Sequence, residues 1–356
     1  AVYVVYKKQF DDHDEPHTTG SIFYTKPGVR ALGWNMVSEA IATFVLVYWI
    51  IQQAPWQPAV EGQAPNLGNI GLGYAGVAFA VVAIPVALGI VWYGGWALVA
   101  LLTAAGVLGT RELFAFARER GVHPSPLLGL GAAALAAPLT WLSLSRPDVN
   151  LGILDWWPYV GALWVLAVLT WATARRAPDA HPLGAMAVTL VGPVYAAALP
   201  AFLLVLRHSS FGLRSWEGTA LVFFPLVVTW VGDSAAMSGG RAFGGPKMAP
   251  TISPGKTRSG GIAGLIGAAL AGALLVAFVL RPAGFDLGIA AGAGIGLLLG
   301  VVGQVGDLAE SLLKREAGVK DSSKLIPGHG GVLDRFDSLI FVLPVAALLF
   351  RLLGAI

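Results

Sequence analysis

Residues 311–337 read SLLKREAGVKDSSKLIPGHGGVLDRFD, a stretch that sets Lys314, Arg315, Lys320, Asp321, Lys324, His329, Asp334, Arg335 and Asp337 between two apolar runs. Charged groups near a bilayer centre cost about 2.5–3.5 kcal/mol each on insertion scales, so a dense mixed cluster beside membrane-length segments marks a polar site. Whether the flanking runs cross a membrane decides the fold, and composition answers. Of 356 residues, 56% are hydrophobic and 12% charged, with mean hydropathy +0.71; soluble domains carry about 25% charged residues. The chain reads as all-α, a polytopic integral membrane protein, because backbone inside lipid must satisfy its own hydrogen bonds and helices do so within one segment.

A spanning helix needs about 20 apolar residues. Such segments fall near 34–53, 75–93, 94–110, 125–144, 156–174, 184–206, 217–237, 260–280, 286–305 and 337–354, nine to ten depending on how 75–110 divides. If they alternate, the loops at 111–124, 175–183, 238–259 and 306–336 share one side and hold 14 Lys or Arg, against 4 on the other (Arg146, Arg207, Arg214, Arg281). The positive-inside rule then makes the first side cytoplasmic. The chain has no cysteine, which excludes disulfides and thiolate metal sites.

Glycines 288, 292, 296 and 300 recur every four residues on one helix, a smooth stripe that lets a neighbour approach closely. Packing within one subunit and an interface in a homodimer both fit that pattern. The first 74 residues differ in character. Ala1 is not a starting methionine, and AVYVVYKKQF opens like the end of a helix already under way. Residues 6–53 resemble an extracellular loop and spanning helix of the aquaglyceroporin family, yet no Asn-Pro pair occurs anywhere, and those channels need two Asn-Pro-Ala motifs. We read 1–74 as an aquaglyceroporin-like fragment ahead of a second protein at 75–356, whose catalytic region begins near 217. His13 and His17, four apart among acids in this part, read as a solvated loop.

Three carboxylate-bearing segments face the inferred cytoplasmic side: Asp233 at the end of an apolar helix, Asp307 with Glu310, and Asp334 with Asp337. The latter two pairs are three residues apart and so share a helical face. Carboxylates converging from separate helices suit a hard divalent cation, Mg²⁺ taking oxygen ligands and keeping positions for water and phosphate. Pairing with a neighbouring Arg, or capping a helix, is the alternative for each. The 238–259 loop adds Arg241, Lys247, Lys256 and Arg258 with no acid. Its glycines let backbone approach phosphate while the cations offset charge; a headgroup-facing loop is the other reading. Gly255-Lys256-Thr257 is not a P-loop, because Pro250 stands where that motif needs glycine and the strand-to-helix context is missing. His329, in Pro-Gly-His-Gly-Gly, could bind phosphate, move a proton or brace the loop.

Together these residues resemble the phosphatidate cytidylyltransferase (CDP-diacylglycerol synthase) family over about 75–356. Its C-terminal signature is met without a gap at Ser311, Lys314, Arg315, Lys320, Asp321, His329, Gly330, Gly331, Asp334, Arg335 and Asp337, preceded by Gly306–Ser311 and by Asp233–Ala236. Met237, Gly255 and Arg258-Ser259 depart from the family's usual residues. The resemblance implies that CTP and phosphatidate yield CDP-diacylglycerol and pyrophosphate in phospholipid biosynthesis, at the cytoplasmic face of a bacterial inner membrane. Membrane lipids are then its surroundings, and nucleic acid is no partner. It implies Mg²⁺, with room for a second cation, at Asp307 and Asp334 with Asp337 and Asp233. It gives Asp307, Asp334, Lys314, Arg315 and His329 catalytic parts, and substrate contacts to Arg241, Lys247, Lys256, Lys320 and Arg335. A relative acting on another lipid phosphate would share this site, whereas a channel or transporter would leave the ungapped signature unexplained.

Overall fold

The computed structural model describes residues 86–145, 153–323 and 331–356, all in one compact unit. The expected channel-like segment, the span at 34–53, His13, His17, Lys324 and His329 lie outside the described residues. Residues 86–93 are helical. Then come α1 (Gly95–Glu119), α2 (Pro126–Ser145), α3 (Ile153–Arg175), α4 (Pro182–Pro193) with a π turn at Val194–Ala198, and α5 (Phe202–His208). They are followed by α6 (Trp216–Phe243), strands β1 (Lys247–Ala249) and β2 (Ser253–Thr257), α7 (Arg258–Leu275) with a π turn at Val276–Leu280, α8 (Ile289–Ala317) and α9 (Leu333–Leu352).

The protein is mostly helical, and among the described residues six helices are long and apolar enough to cross a membrane: α1, α2, α4 through α5, α6, α7 with its π turn, and α8. Helices α3 and α9 coincide with the expected spans at 156–174 and 337–354. Pro138, Pro158, Pro225 and Pro344 lie inside helices, as neighbouring spans permit. The expected division between 75–93 and 94–110 falls on a real break. Gly94 and Gly95 have φ of 74° and 56°, and a Cβ on Gly94 would meet the His208 ring at 2.5 Å.

Two expectations change. The chain is not purely α: within 238–259, β1 and β2 pair antiparallel, Lys247 opposite Thr257 and Ala249 opposite Ser253. That segment is a short ribbon between α6 and α7 rather than a loop. Second, α8 does not stop near 305 but runs to Ala317, capped by Gly318 at φ 75°. Loss of hydropathy ends a span without ending a helix, since Leu, Glu, Lys and Arg are all good helix formers.

Loops after alternate helices gather at one end, as the expected sidedness requires. Arg176 bonds the His123 carbonyl, Arg120 that of Glu316, and Arg315 that of Ile252 at 3.2 Å. At the other end the fully buried Arg207 donates to the carbonyls of Val91 (2.8 Å), Trp92 (2.7 Å) and Gly212 (3.0 Å). This network satisfies the last carbonyls of the helix at 86–93 and the Gly212 loop carbonyl, which lack helical partners.

Between them α7 lies against α6 and α8 along small residues. A Cβ on Gly272, Gly292, Gly296 or Gly300 would come within 3.0 Å of the facing helix, and one on Gly267 would meet Ala235 at 2.6 Å. Three of the four expected stripe glycines thus pack within the subunit; Gly288 instead precedes α8 and meets nothing. The opposite side of α7 exposes Ile262, Ile266, Leu270, Leu274 and Phe278, one every four residues, the pattern of a lipid-facing stripe. In lipid, where burial adds little drive between helices, such backbone proximity supplies the packing.

Gly296→Leu is therefore expected to destabilise by about 1–3 kcal/mol or more, as overpacking does. Gly294→Ala, where nothing stands within 4 Å, should be neutral or stabilise by up to about 1 kcal/mol. Thermal unfolding in detergent, run on both variants, checks the contrast; equal behaviour of the two would refute the seam.

Candidate active site

At the end where the loops gather, α8 carries Asp307, Glu310, Lys314 and Arg315 beyond its apolar part. The spacings 307, 310 and 314 place three of these on one face, one above the other. That face meets the start of α9, where Gly306 comes close enough that a Cβ would meet the Asp337 carbonyl at 2.8 Å. Lys314 sits between two carboxylates, 2.7 Å from Asp334 Oδ1 and 3.1 Å from Glu310 Oε1. Glu310 is fully buried, and neither of its oxygens has an aligned hydrogen bond among the described residues.

Asp334 is the most heavily bonded acid of the expected set. Besides Lys314, its Oδ2 accepts the Ser322 amide (2.7 Å), the Ser322 hydroxyl (2.8 Å) and the Gly331 amide (2.8 Å). So many donors favour the ionised form. One turn later, Asp337 Oδ1 accepts the Ser338 amide at 2.6 Å. Asp233 on α6 lies within electrostatic reach of Asp307 on α8 and Asp337 on α9, and Asp337 within reach of Asp307. Asp233 also lines a cavity of about 20 Å³ between α6, α7 and α8, with Thr229 and Gln304, room for about one water.

The ribbon delivers Lys256, which forms an ion pair with Asp307 Oδ2. Thr257 then caps α7 by accepting the Gly260 amide at 3.1 Å, so a strand does run into a helix here. It is an antiparallel hairpin with Pro250 in its turn, without a backbone loop to wrap a phosphate. Arg315 Nε, expected to take a catalytic part, donates to the Ile252 carbonyl and so fastens the ribbon tip. Arg241, Lys247, Lys320 and Arg335 are exposed at this end.

Two residues escape the sequence reading. Glu112 was expected in a loop beginning at 111, but α1 continues to Glu119 and Glu112 is buried. It accepts the amides of Val332 and Leu333, each at 2.9 Å, and the hydroxyls of Ser322 (2.9 Å) and Ser323 (2.7 Å). An acid in the Thr110-Arg111-Glu112-Leu113-Phe114 run, inside an apolar pattern, was the available signal. Tyr195, on the π turn after α4, has a buried hydroxyl with no bond among the described residues, within electrostatic reach of Glu310, Asp337 and Asp307. Only a tertiary contact makes that tyrosine notable.

Among the described residues no three His, Asp or Glu side chains already stand together at metal-holding distance. The chemistry of the set still fits a hard cation. Asp233, Asp307 and Asp337 offer carboxylate oxygens from three helices, with Lys256 already drawn to one of them. A charged cluster at one end of a bundle of membrane-length helices is the kind of polar site that membrane segments rarely carry without a role. More narrowly, the cytidylyltransferase family matches residues 75–353, and the chain belongs to that family. It is 32% identical over 288 residues to the phosphatidate cytidylyltransferase of Synechocystis sp., covering 75% of this chain and 92% of that protein. It is 42% identical over 192 residues to the phosphatidate cytidylyltransferase of Brucella suis biovar 1, covering 54% of this chain and 62% of that one. The match to the Brucella relatives thus spans less than two thirds of their length.

Lys314→Met should leave Glu310 and Asp334 without their shared ammonium and destabilise by about 3 kcal/mol, the scale of breaking one side of a buried ion pair. Adding Glu310→Gln to that variant should recover part of the loss. The midpoints of thermal unfolding for the two variants and the parent give the comparison.

Proposed function

We propose that the chain is a phosphatidate cytidylyltransferase, converting CTP and phosphatidate to CDP-diacylglycerol and pyrophosphate. The observation that carries this is the grouping of Lys256 paired with Asp307 and Lys314 paired with Glu310 and Asp334 at one end of a bundle of membrane-length helices, in a chain of the cytidylyltransferase family. A phosphate oxygen of the lipid attacks the α-phosphorus of CTP, and pyrophosphate leaves from the opposite side. Both reactants are anions, so catalysis is chiefly alignment and charge stabilisation. The lipid phosphate is already ionised near neutral pH, and the step needs no general base.

Asp233, Asp307 and Asp337 would hold Mg²⁺, with Glu310 and Asp334 adding negative charge nearby. When bound, that cation lowers the repulsion between the two phosphates and stabilises charge developing on the leaving pyrophosphate. Asp334, whose oxygens already accept four donors, orients Lys314 and the start of α9. Lys256 and Lys314, inside the cluster, and Lys247, Lys320, Arg241 and Arg335, at its rim, supply fixed positive charge for nucleotide and lipid phosphates. The ribbon, between the end of α6 and the start of α7, would meet a headgroup arriving from the bilayer. We further propose nine to ten spans, counting α3, α9 and the undescribed N-terminal segments, and a cytoplasmic location for the polar end in a bacterial inner membrane.

The test is Mg²⁺-dependent conversion of radiolabelled CTP and phosphatidate by the intact protein in mixed micelles. Wild type should form CDP-diacylglycerol, and Asp307→Asn should fall by about 100-fold or more, the scale of losing one group that stabilises transition-state charge. Folded wild type that converts no CTP, or an Asp307→Asn variant as active as wild type, would count against the assignment. Deleting residues 1–74 should leave turnover largely intact in the same assay.

A further inference from the structure

We propose that Glu112 is a positioning residue for this transfer, a carboxylate from the first half of the chain that fixes the start of α9 and, through Ser322, the carboxylate of Asp334. The inference rests on the function proposed above.

Helix α9 begins without a side-chain cap of its own, its N-cap residue being Val332. The first amides of any helix lack partners within it. Here the partners come from protein carboxylates: Gly331 donates to Asp334, while Val332 and Leu333 donate to Glu112, which lies more than 200 residues away in sequence. Negative charge at that position also opposes the positive end of the helix dipole. Glu112 is only 6% exposed, so its bonds are not shared with bulk water.

The two carboxylates meet at Ser322. Its hydroxyl lies 2.9 Å from Glu112 Oε2 and 2.8 Å from Asp334 Oδ2, and its single proton can serve one of them at a time. Gly331 closes the same space, for a Cβ there would strike both Glu112 oxygens and the Ser322 hydroxyl. Shifting Glu112 therefore shifts the first turn of α9. That moves the oxygen that Lys314 grips and the stem from which Asp337 is offered one turn later. Glu112 itself is enclosed by Ser322, Ser323, Val332 and Leu333 and acts through them. The Gly331, Val332 and Leu333 amides at this helix start are already taken by protein carboxylates.

The experiment uses the intact protein in detergent as wild type, Glu112→Gln, Glu112→Asp and Ser322→Ala. It follows amide hydrogen exchange in peptides covering 331–336 and steady-state turnover of CTP with phosphatidate. Glu112→Gln replaces an acceptor with an N–H₂ that faces other donors. Exchange at 332 and 333 should rise about tenfold or more while the α7–α8 seam keeps its protection. Its kcat should fall about 100-fold, as misplacement by about an ångström can cause, with KM for CTP nearly unchanged. Glu112→Asp keeps the charge and should recover part of kcat. Ser322→Ala, a loop substitution that leaves the helices untouched, should lower kcat in the same direction and carries the test if Glu112→Gln does not fold. Unchanged kcat in Ser322→Ala, or a Glu112→Gln variant that loses protection throughout the bundle with kcat and KM worsening together, overturns the proposal. Wild type without CTP turnover would defeat the assigned function instead, and exchange at 332–333 would still decide whether Glu112 holds α9.

Discussion

The ammonium of Lys314, set between Glu310 and Asp334, is the interaction on which the polar end of this bundle depends. Charges taken out of water cost several kcal/mol each unless paired and hydrogen-bonded, and here a buried glutamate and a half-buried aspartate share one cation. The arrangement joins α8 to α9 through one shared ammonium. Around it lie Asp233, Asp337 and the ion pair of Lys256 with Asp307.

The apolar body holds that region in place by geometry. Helix α7 is flanked by α6 and α8 at backbone contact distance, with Gly267 against Ala235 and Gly272 against Gly292. Gln304 Nε2 donates to the Gly261 carbonyl at 2.9 Å, just below the carboxylates. Small residues permit this approach and leave little room to adjust, so the spacing of Asp233 on α6 from Asp307 on α8 follows from the seam beneath them. The lipid-facing stripe of α7 plays no part in that spacing.

Much of this was legible in the sequence. The runs at 125–144 and 260–280 became α2 (Pro126–Ser145) and α7 with its π turn (Arg258–Leu280), because apolar length and helix length coincide there. Asp307 with Glu310 and Asp334 with Asp337 carried their relation in a spacing of three. Where hydropathy and helix diverge, the reading failed. Helix α8 outlasts its apolar part by a dozen residues, and α1 carries Glu112 past the expected boundary at 110. The ribbon showed no alternating pattern, its strands being three and five residues with Pro250 between them. The bonds of Glu112 and the setting of Tyr195 are tertiary, and no local pattern encodes a partner 80 or more residues away.

The ribbon and α8 hold each other at two points. Lys256 reaches from β2 to Asp307, and Arg315 reaches from α8 back to the ribbon tip at Ile252. Eight residues separate Asp307 and Arg315, about 12 Å of helix axis at 1.5 Å per residue. Clasped twice in opposite senses, the hairpin cannot slide along the helix, and the helix cannot turn about its own axis without dragging the hairpin. Mechanically they are one body, tied at its tip by Arg315 and at its base by the pair of Lys256 with Asp307.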